Sequence, residues 1–262
     1  SALRPAVPDE AIRVLNDLEW ASALGESDQR EQFERVIEDG LFDAKQALTS
    51  YLSVPELAEY LFLPYDLQNA KASLFAFRAG EKYEDIRSRL SPLGTLPRRF
   101  AYSVLEDPSK GREYSAGFLV SALQEARHML EKNPEAPQIV EHFLDTIVYH
   151  RMQTAVAALE SAPLQQFFDL QVLAENCKRL VRRNETEQEF FLEPKTILPA
   201  TRSALTGAEI TAAARGTVLE GHLLEGKHLH EEGKPLAEWE LRLDLAVLHT
   251  LYWPARANPL GP

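Results

Sequence analysis

The stretch VIEDGLFDAKQALTSYL (Val36–Leu52) lies over the stretch FLDTIVYHRMQTAVAAL (Phe143–Leu159) without a gap. Ile37 meets Leu144, Glu38 meets Asp145, Phe42 meets Tyr149, Gln46 meets Gln153 and Leu52 meets Leu159. The same offset (176 − 69 = 107) carries the match from Phe33 to about Leu74, pairing Tyr60 with Phe167, Asn69 with Asn176 and Lys71 with Lys178. Identities are few, and any two amphipathic helices share some apolar agreement. The order of elements is the stronger sign of an internal repeat: long helix, short helix, asparagine-bearing helix, then a proline-bounded connector, twice in one chain. LSPLGTLP (Leu90–Pro97) answers LEPKTILP (Leu192–Pro199) after a linker five residues shorter in the second copy.

Within each copy the periodicity is helical. Phe33, Val36, Ile37, Leu41, Ala44, Leu48 and Leu52 step mostly by three or four residues and predict one buried stripe. Val140, Phe143, Leu144, Ile147, Val148 and Met152 predict a second long helix. Trp239, Leu243, Ala246, Val247 and Leu251 predict a third, from about Pro235 to Tyr252. Alternating strand patterns are absent, and PLGTLP and PKTILP are too short and too proline-bounded to be more than connectors. The expected class is all-α, with repeat one over 1–96, repeat two over 97–198 and a partial third repeat over 199–262. A further helix is expected from Pro8 to Leu24, and both ends of the sequence read as incomplete.

Composition narrows the function. The 262 residues hold 40 acidic and 28 basic side chains, a formal net charge of −12, which disfavours nonspecific binding to nucleic acid or anionic lipid. The longest basic run, CKRLVRR (Cys177–Arg183), carries Leu180 and Val181 on another face and reads as one basic edge of a helix. Cys177 is the single cysteine, so neither an internal disulfide framework nor a cysteine-built zinc cluster is available, and a reducing compartment suits it. No apolar run approaches the roughly 20 residues that span a bilayer.

Several residues invite a chemical reading. Pro64 is expected to end one helix and Asp66 to cap the next, accepting first-turn N–H groups. Asn69 and Asn176, at equivalent repeat positions, are expected to tie neighbouring helices in register. GHLLEGKHLHEEGK (Gly221–Lys234) holds His222, His228, His230, Glu231 and Glu232. Its spacing matches no metal-enzyme motif and its glycines point to a solvated turn, with a zinc or nickel site as the alternative. His150 and Arg151 read as an interhelical contact. Cys177 reads as buried and inert, although Lys178 beside it would favour the thiolate. Neither G-x-x-x-x-G-K-[ST] nor G-x-G-x-x-G occurs, so the nucleotide chemistry of those motifs has no home here.

YDLQNAKASLFAFRAGEKYEDI (Tyr65–Ile86) followed by LGTLP (Leu93–Pro97) resembles the V-type ATPase subunit called C in bacteria and archaea and d in eukaryotes. That family has an Asp-x-x-Asn helix, a glycine-bearing loop and a Gly-Thr-Leu connector. LQVLAENCKRL (Leu170–Leu180) with TILP (Thr196–Pro199) resembles its middle repeat, and NPLGP (Asn258–Pro262) a turn in its third. Ala70 and Cys177 depart from the larger aliphatic residue the family favours, and Leu173 stands in place of an acid.

The resemblance implies a subunit with no catalytic residues, cofactor or metal of its own. Three similar helical domains would surround a pseudo-threefold axis as a funnel on the cytoplasmic face of the membrane. It would receive rotor shaft subunits of the D/F type on one side and sit on the proteolipid ring on the other, serving proton or sodium transport. Arg78, Lys178, Arg179, Arg182 and Arg183 are the expected partner contacts, with Asp66, Asn69 and Asn176 as structural repeat motif. The alternatives are a generic soluble helical-repeat scaffold and, less favoured, a metal-dependent hydrolase built on the His222–Glu232 segment.

Overall fold

The computed structural model describes residues 29–52, 54–114, 117–182, 192 and 206–257. The described residues form ten α-helices and no strand: α1 Gln29–Tyr51, α2 Pro55–Ala79, α3 Tyr83–Ile86, α4 Phe100–Glu106, α5 Gly117–Lys132, α6 Pro137–Ala158, α7 Ala162–Arg182, α8 Gly207–Ala214, α9 Glu220–Glu231 and α10 Ala237–Ala257. The class is all-α, and the three long helices expected from periodicity are α1, α6 and α10. The expected helix from Pro8 to Leu24 and the PKTILP connector lie outside the described residues.

One continuous apolar core runs from Tyr60 on α2 to Val247 on α10. The most extensive helix pairings are α2 on α6 and α7 on α10. Each asparagine-bearing helix therefore packs on the long helix that follows it. Tyr60, Leu63, Leu67, Ala70 and Leu74 supply the buried face of α2, and Val140, Leu144, Val148, Met152 and Ala155 that of α6. The α7 face is Phe168, Val172, Leu173, Asn176 and Cys177.

Pro64 departs from expectation. It lies inside α2, which runs unbroken from Pro55 to Ala79, so the expected short helix and asparagine-bearing helix are one. A mid-helix proline leaves the carbonyl of residue i−4 without its helical donor and costs about 3 kcal/mol in an exposed helix. Here Tyr60, Leu63 and Leu67 are buried around it, and their packing holds the helix through the defect. Gly80 then ends α2 at φ 75°, a left-handed cap whose N–H bonds the Phe77 carbonyl.

The histidine segment is also not a turn. It forms α9, and its glycine at 226 is there for close packing: a Cβ would stand 2.4 Å from the ring of Trp239, which is fully buried. The indole N–H of Trp239 donates to the His222 carbonyl at 2.7 Å, completing the α9–α10 lock.

Of the stripe expected on α1, Leu41, Ala44 and Leu48 are exposed and Leu52 is half-buried, and the side chains of Phe33, Val36 and Ile37 lie outside the described residues. Phe42 and Tyr51 are exposed beside it, and Lys45 ties α1 to the rest by donating to the Gly94 carbonyl and lying over the Phe62 ring at 5.5 Å. On α10, Leu241, Leu245 and Leu248 are exposed too, at an i, i+4, i+7 spacing.

Gly226→Ala should lower stability by about 2 kcal/mol, the overpacking cost exceeding the gain of roughly 1 kcal/mol in helix propensity. Gly221→Ala, which meets nothing within 4 Å, should be neutral or stabilising. Thermal denaturation of the pair checks this, and equal effects would contradict the α9–α10 packing.

Candidate functional site

Asp66 and Asn69 stand one turn apart on α2 and face the same segment of chain. Asn69 takes the backbone of Ser91 with both ends of its amide: Nδ2 donates to the Ser91 carbonyl at 3.0 Å, and the Ser91 N–H donates to Oδ1 at 2.7 Å. Asp66 accepts from the Thr95 N–H at 2.9 Å, the Thr95 hydroxyl, and the Leu96 N–H at 3.1 Å. Asp66 thus caps the connector and not its own helix, because Pro64 does not interrupt α2. The glycine at 94 lets the connector come this close, since a Cβ there would fall 2.2 Å from the Asp66 carboxylate. Burial pushes the Asp66 carboxyl above its usual range, against the opposing pull of the Thr95 and Leu96 hydrogen bonds and the Lys45 charge. The connector's donors thus meet a carboxyl that is shielded from water.

Asn176 on α7 repeats the asparagine half of this clamp. Its Nδ2 donates to the Leu192 carbonyl at 2.7 Å and its Oδ1 accepts the Leu192 N–H at 2.7 Å. Both asparagines therefore hold a connector backbone, where sequence reasoning expected a neighbouring helix. The shared partner geometry equates Leu192 with Ser91. The second linker is then six residues shorter (91 − 69 = 22 against 192 − 176 = 16), one more than the letters indicated. The aspartate half is missing, and Leu173 occupies its place, fully buried.

A second motif joins the packed helices. Lys71 on α2 reaches Asp145 on α6 at 2.5 Å, and Lys178 on α7 reaches Asp244 on α10 at 2.6 Å. Lys71 and Lys178 are the repeat pair found by sequence, so α6 and α10 present their acids to equivalent lysines. Asp145 is buried and also takes Arg179, whose guanidinium contacts Glu175 and His142 Nδ1 at 3.1 Å. Burial, reinforced by the Arg179 cation, pulls His142 below its ordinary range. Its neutral ring nitrogen accepts from Arg179. Two bidentate pairs reinforce the seams: Arg151 with Glu59 at 2.5 and 2.9 Å, and Arg182 with Glu240 at 2.6 and 2.5 Å. Arg151 makes the interhelical contact expected of it.

Four of the five expected partner contacts, Arg78, Lys178, Arg179 and Arg182, lie among the described residues. Lys178 and Arg179 are largely covered and neutralise carboxylates of their own chain, since the basic edge of α7 faces acids on α6 and α10. Arg182 is exposed but paired, and Arg78 is exposed at the end of α2 and donates to the Pro134 carbonyl at 3.0 Å. Arg183 lies outside the described residues. Cys177 is fully buried, and burial pushes its thiol up to about 12, against the pull of Lys227. Among the described residues no group of three or more His, Cys, Asp or Glu side chains is placed to hold a metal ion. His228 is near Glu232 at 3.4 Å, and Glu232 pairs with Lys234 at 2.6 Å. Lys45, Gly94 and Asp244 escaped sequence reasoning. Asp145 carried a signal in its alignment with Glu38, an acid at the same repeat position in both copies.

This arrangement interlocks α2, α6, α7 and α10. Compared with known families, residues 6–260 match the family model described as ATP synthase (C/AC39) subunit. No curated protein matches the chain significantly.

Asn176→Ala strands a buried N–H and a buried carbonyl, and should cost about 3 kcal/mol. Arg182→Ala, which loses an exposed ion pair, should cost no more than about 1 kcal/mol. Chemical denaturation separates the two, and equal losses would contradict the clamp.

Proposed function

The chain belongs to the ATP synthase (C/AC39) subunit family, and from that premise we propose that it is the non-catalytic coupling piece of a V/A-type rotary ATPase. In this reading it seats the D/F-type rotor shaft on the membrane proteolipid ring and passes torque between them during proton or sodium transport. The observation that carries the proposal is the repeated seam, Lys71 to Asp145 and Lys178 to Asp244. A torque-bearing shell must not slide at its internal joints. A charge pair set beside a packed apolar interface resists sliding, because any shift separates the charges and exposes the core.

In this reading the three sectors are 1–96, 97–198 and 199–262, with α6 and α10 each taking the asparagine-bearing helix of the sector before it. No helix among the described residues is long and apolar enough to cross a membrane. In the same reading, contact with the bilayer is routed through the ring, with the chain peripheral on the cytoplasmic face. Arg78 and Arg182, exposed near the ends of α2 and α7, are the members of the predicted contact set best placed to meet a partner.

The test is copurification of the tagged chain from its native membrane in mild detergent. Recovery of shaft subunits and ring proteolipid is expected, and membranes lacking the chain should hydrolyse ATP without pumping ions. Recovery of the chain alone, or with unrelated soluble proteins, would overturn the proposal in favour of a general scaffold.

A further inference from the structure

Beside the clamp lies a cavity of about 670 Å³, walled by α1, by the turn that begins at α3, and by the two residues that precede α4. Three arginines line it: Arg87, Arg98 and Arg99. Among the described residues neither Arg87 nor Arg99 has a carboxylate within ion-pair reach; Arg99 instead lies over the Tyr83 ring at 5.0 Å. In a chain of net charge −12, three guanidinium groups against two carboxylates, Asp39 and Glu84, leave this concave site with a net positive lining. The cavity also has an apolar side, since Phe42, 46% exposed, stands in its wall with Tyr83.

Two of the arginines leave a fixed stretch of backbone. Arg98 and Arg99 directly follow the connector whose Thr95 and Leu96 N–H groups are fixed by Asp66. The clamp therefore sets where the arginine backbone leaves the connector, and α4 begins at Phe100, which is buried. A cationic site on a pinned backbone loses little order when it binds.

We propose that this cavity is a docking socket for an acidic protein segment that presents carboxylates next to an apolar side chain. The arginine fork matches a carboxylate in two-point geometry, and the aromatic wall matches the apolar neighbour. Asp39 and Glu84 in the same cavity argue against a phosphate-dense surface such as a bilayer or nucleic acid. A peptide can set single carboxylates between them, whereas a sheet of phosphates meets their repulsion. The socket does not depend on the coupling role: it is a property of this surface whichever protein supplies the segment.

The experiment is fluorescence anisotropy of the full chain with a labelled Glu-Glu-Leu repeat peptide. Saturable binding that weakens as salt rises is expected. Arg87→Glu with Arg99→Glu should weaken it by about tenfold or more, while Asp39→Asn with Glu84→Gln should tighten it by about threefold. The second pair keeps the test decisive should the reversal variant fold poorly. Four results would each overturn the proposal: no binding; equal binding of a Lys-Lys-Leu peptide; complete displacement by millimolar inorganic phosphate; or binding to anionic phospholipid vesicles with the same arginine dependence.

Discussion

A primary amide can satisfy one backbone N–H and one backbone carbonyl at once, and this chain uses that property twice. Asn69 and Asn176 each grip the two polar groups of a single connector residue, Ser91 or Leu192, from the buried face of a long helix. A connector crossing a helical core brings N–H and carbonyl groups that would be costly if left unpaired. The asparagine removes that cost and fixes where along the helix the chain crosses. Everything beyond the crossing inherits its position: in the first copy, the Asp66 contacts, the glycine approach at 94 and the start of α4 all follow.

The clamps fix two helices, α2 and α7, to their own connectors, and charge fixes the packed helices to one another. Asp145 illustrates how a buried carboxylate is made tolerable. Its side chain is 8% exposed and receives Lys71 from α2 and Arg179 from α7, so three helices meet on one acid. Removing a single cation would leave the acid underpaired in a dry site, which is more costly than never having placed it there. The Lys178–Asp244 pair has the same form with a half-exposed acid, and so contributes less to stability while preserving the register. The apolar rows left open on α1 and α10 lie on long helices near the two ends of the described chain, whereas α6 lies between α2 and α7 and has both sides covered.

The fold class was legible because apolar spacing near 3.6 residues fills almost every long segment, and the order of elements in the repeat was legible for the same reason. Boundaries inside α2 were not. Pro64 is a strong local signal for a break, and only the burial of Tyr60, Leu63 and Leu67 on the assembled helix overrides it. The glycines misled in the opposite direction: Gly226 reads as a turn residue until Trp239, thirteen positions on (239 − 226 = 13), is seen to lie against its Cα. The asparagines were visible as a repeated residue, but the identity of what they hold depends on a connector whose path no periodicity records. The carboxylates that pair with Lys178, Arg179 and Arg182 were not legible because they sit on α6 and α10, far away in sequence.

The central claim is that buried amide clamps hold the connectors rigidly to their helices. Native-state hydrogen exchange at the Ser91, Thr95, Leu96 and Leu192 amides tests it most directly. Exchange of these four only with global unfolding, and loss of Leu192 protection alone in a chain carrying Asn176→Ala, is the predicted result. Exchange at the rate of an open loop in the wild-type chain would contradict it.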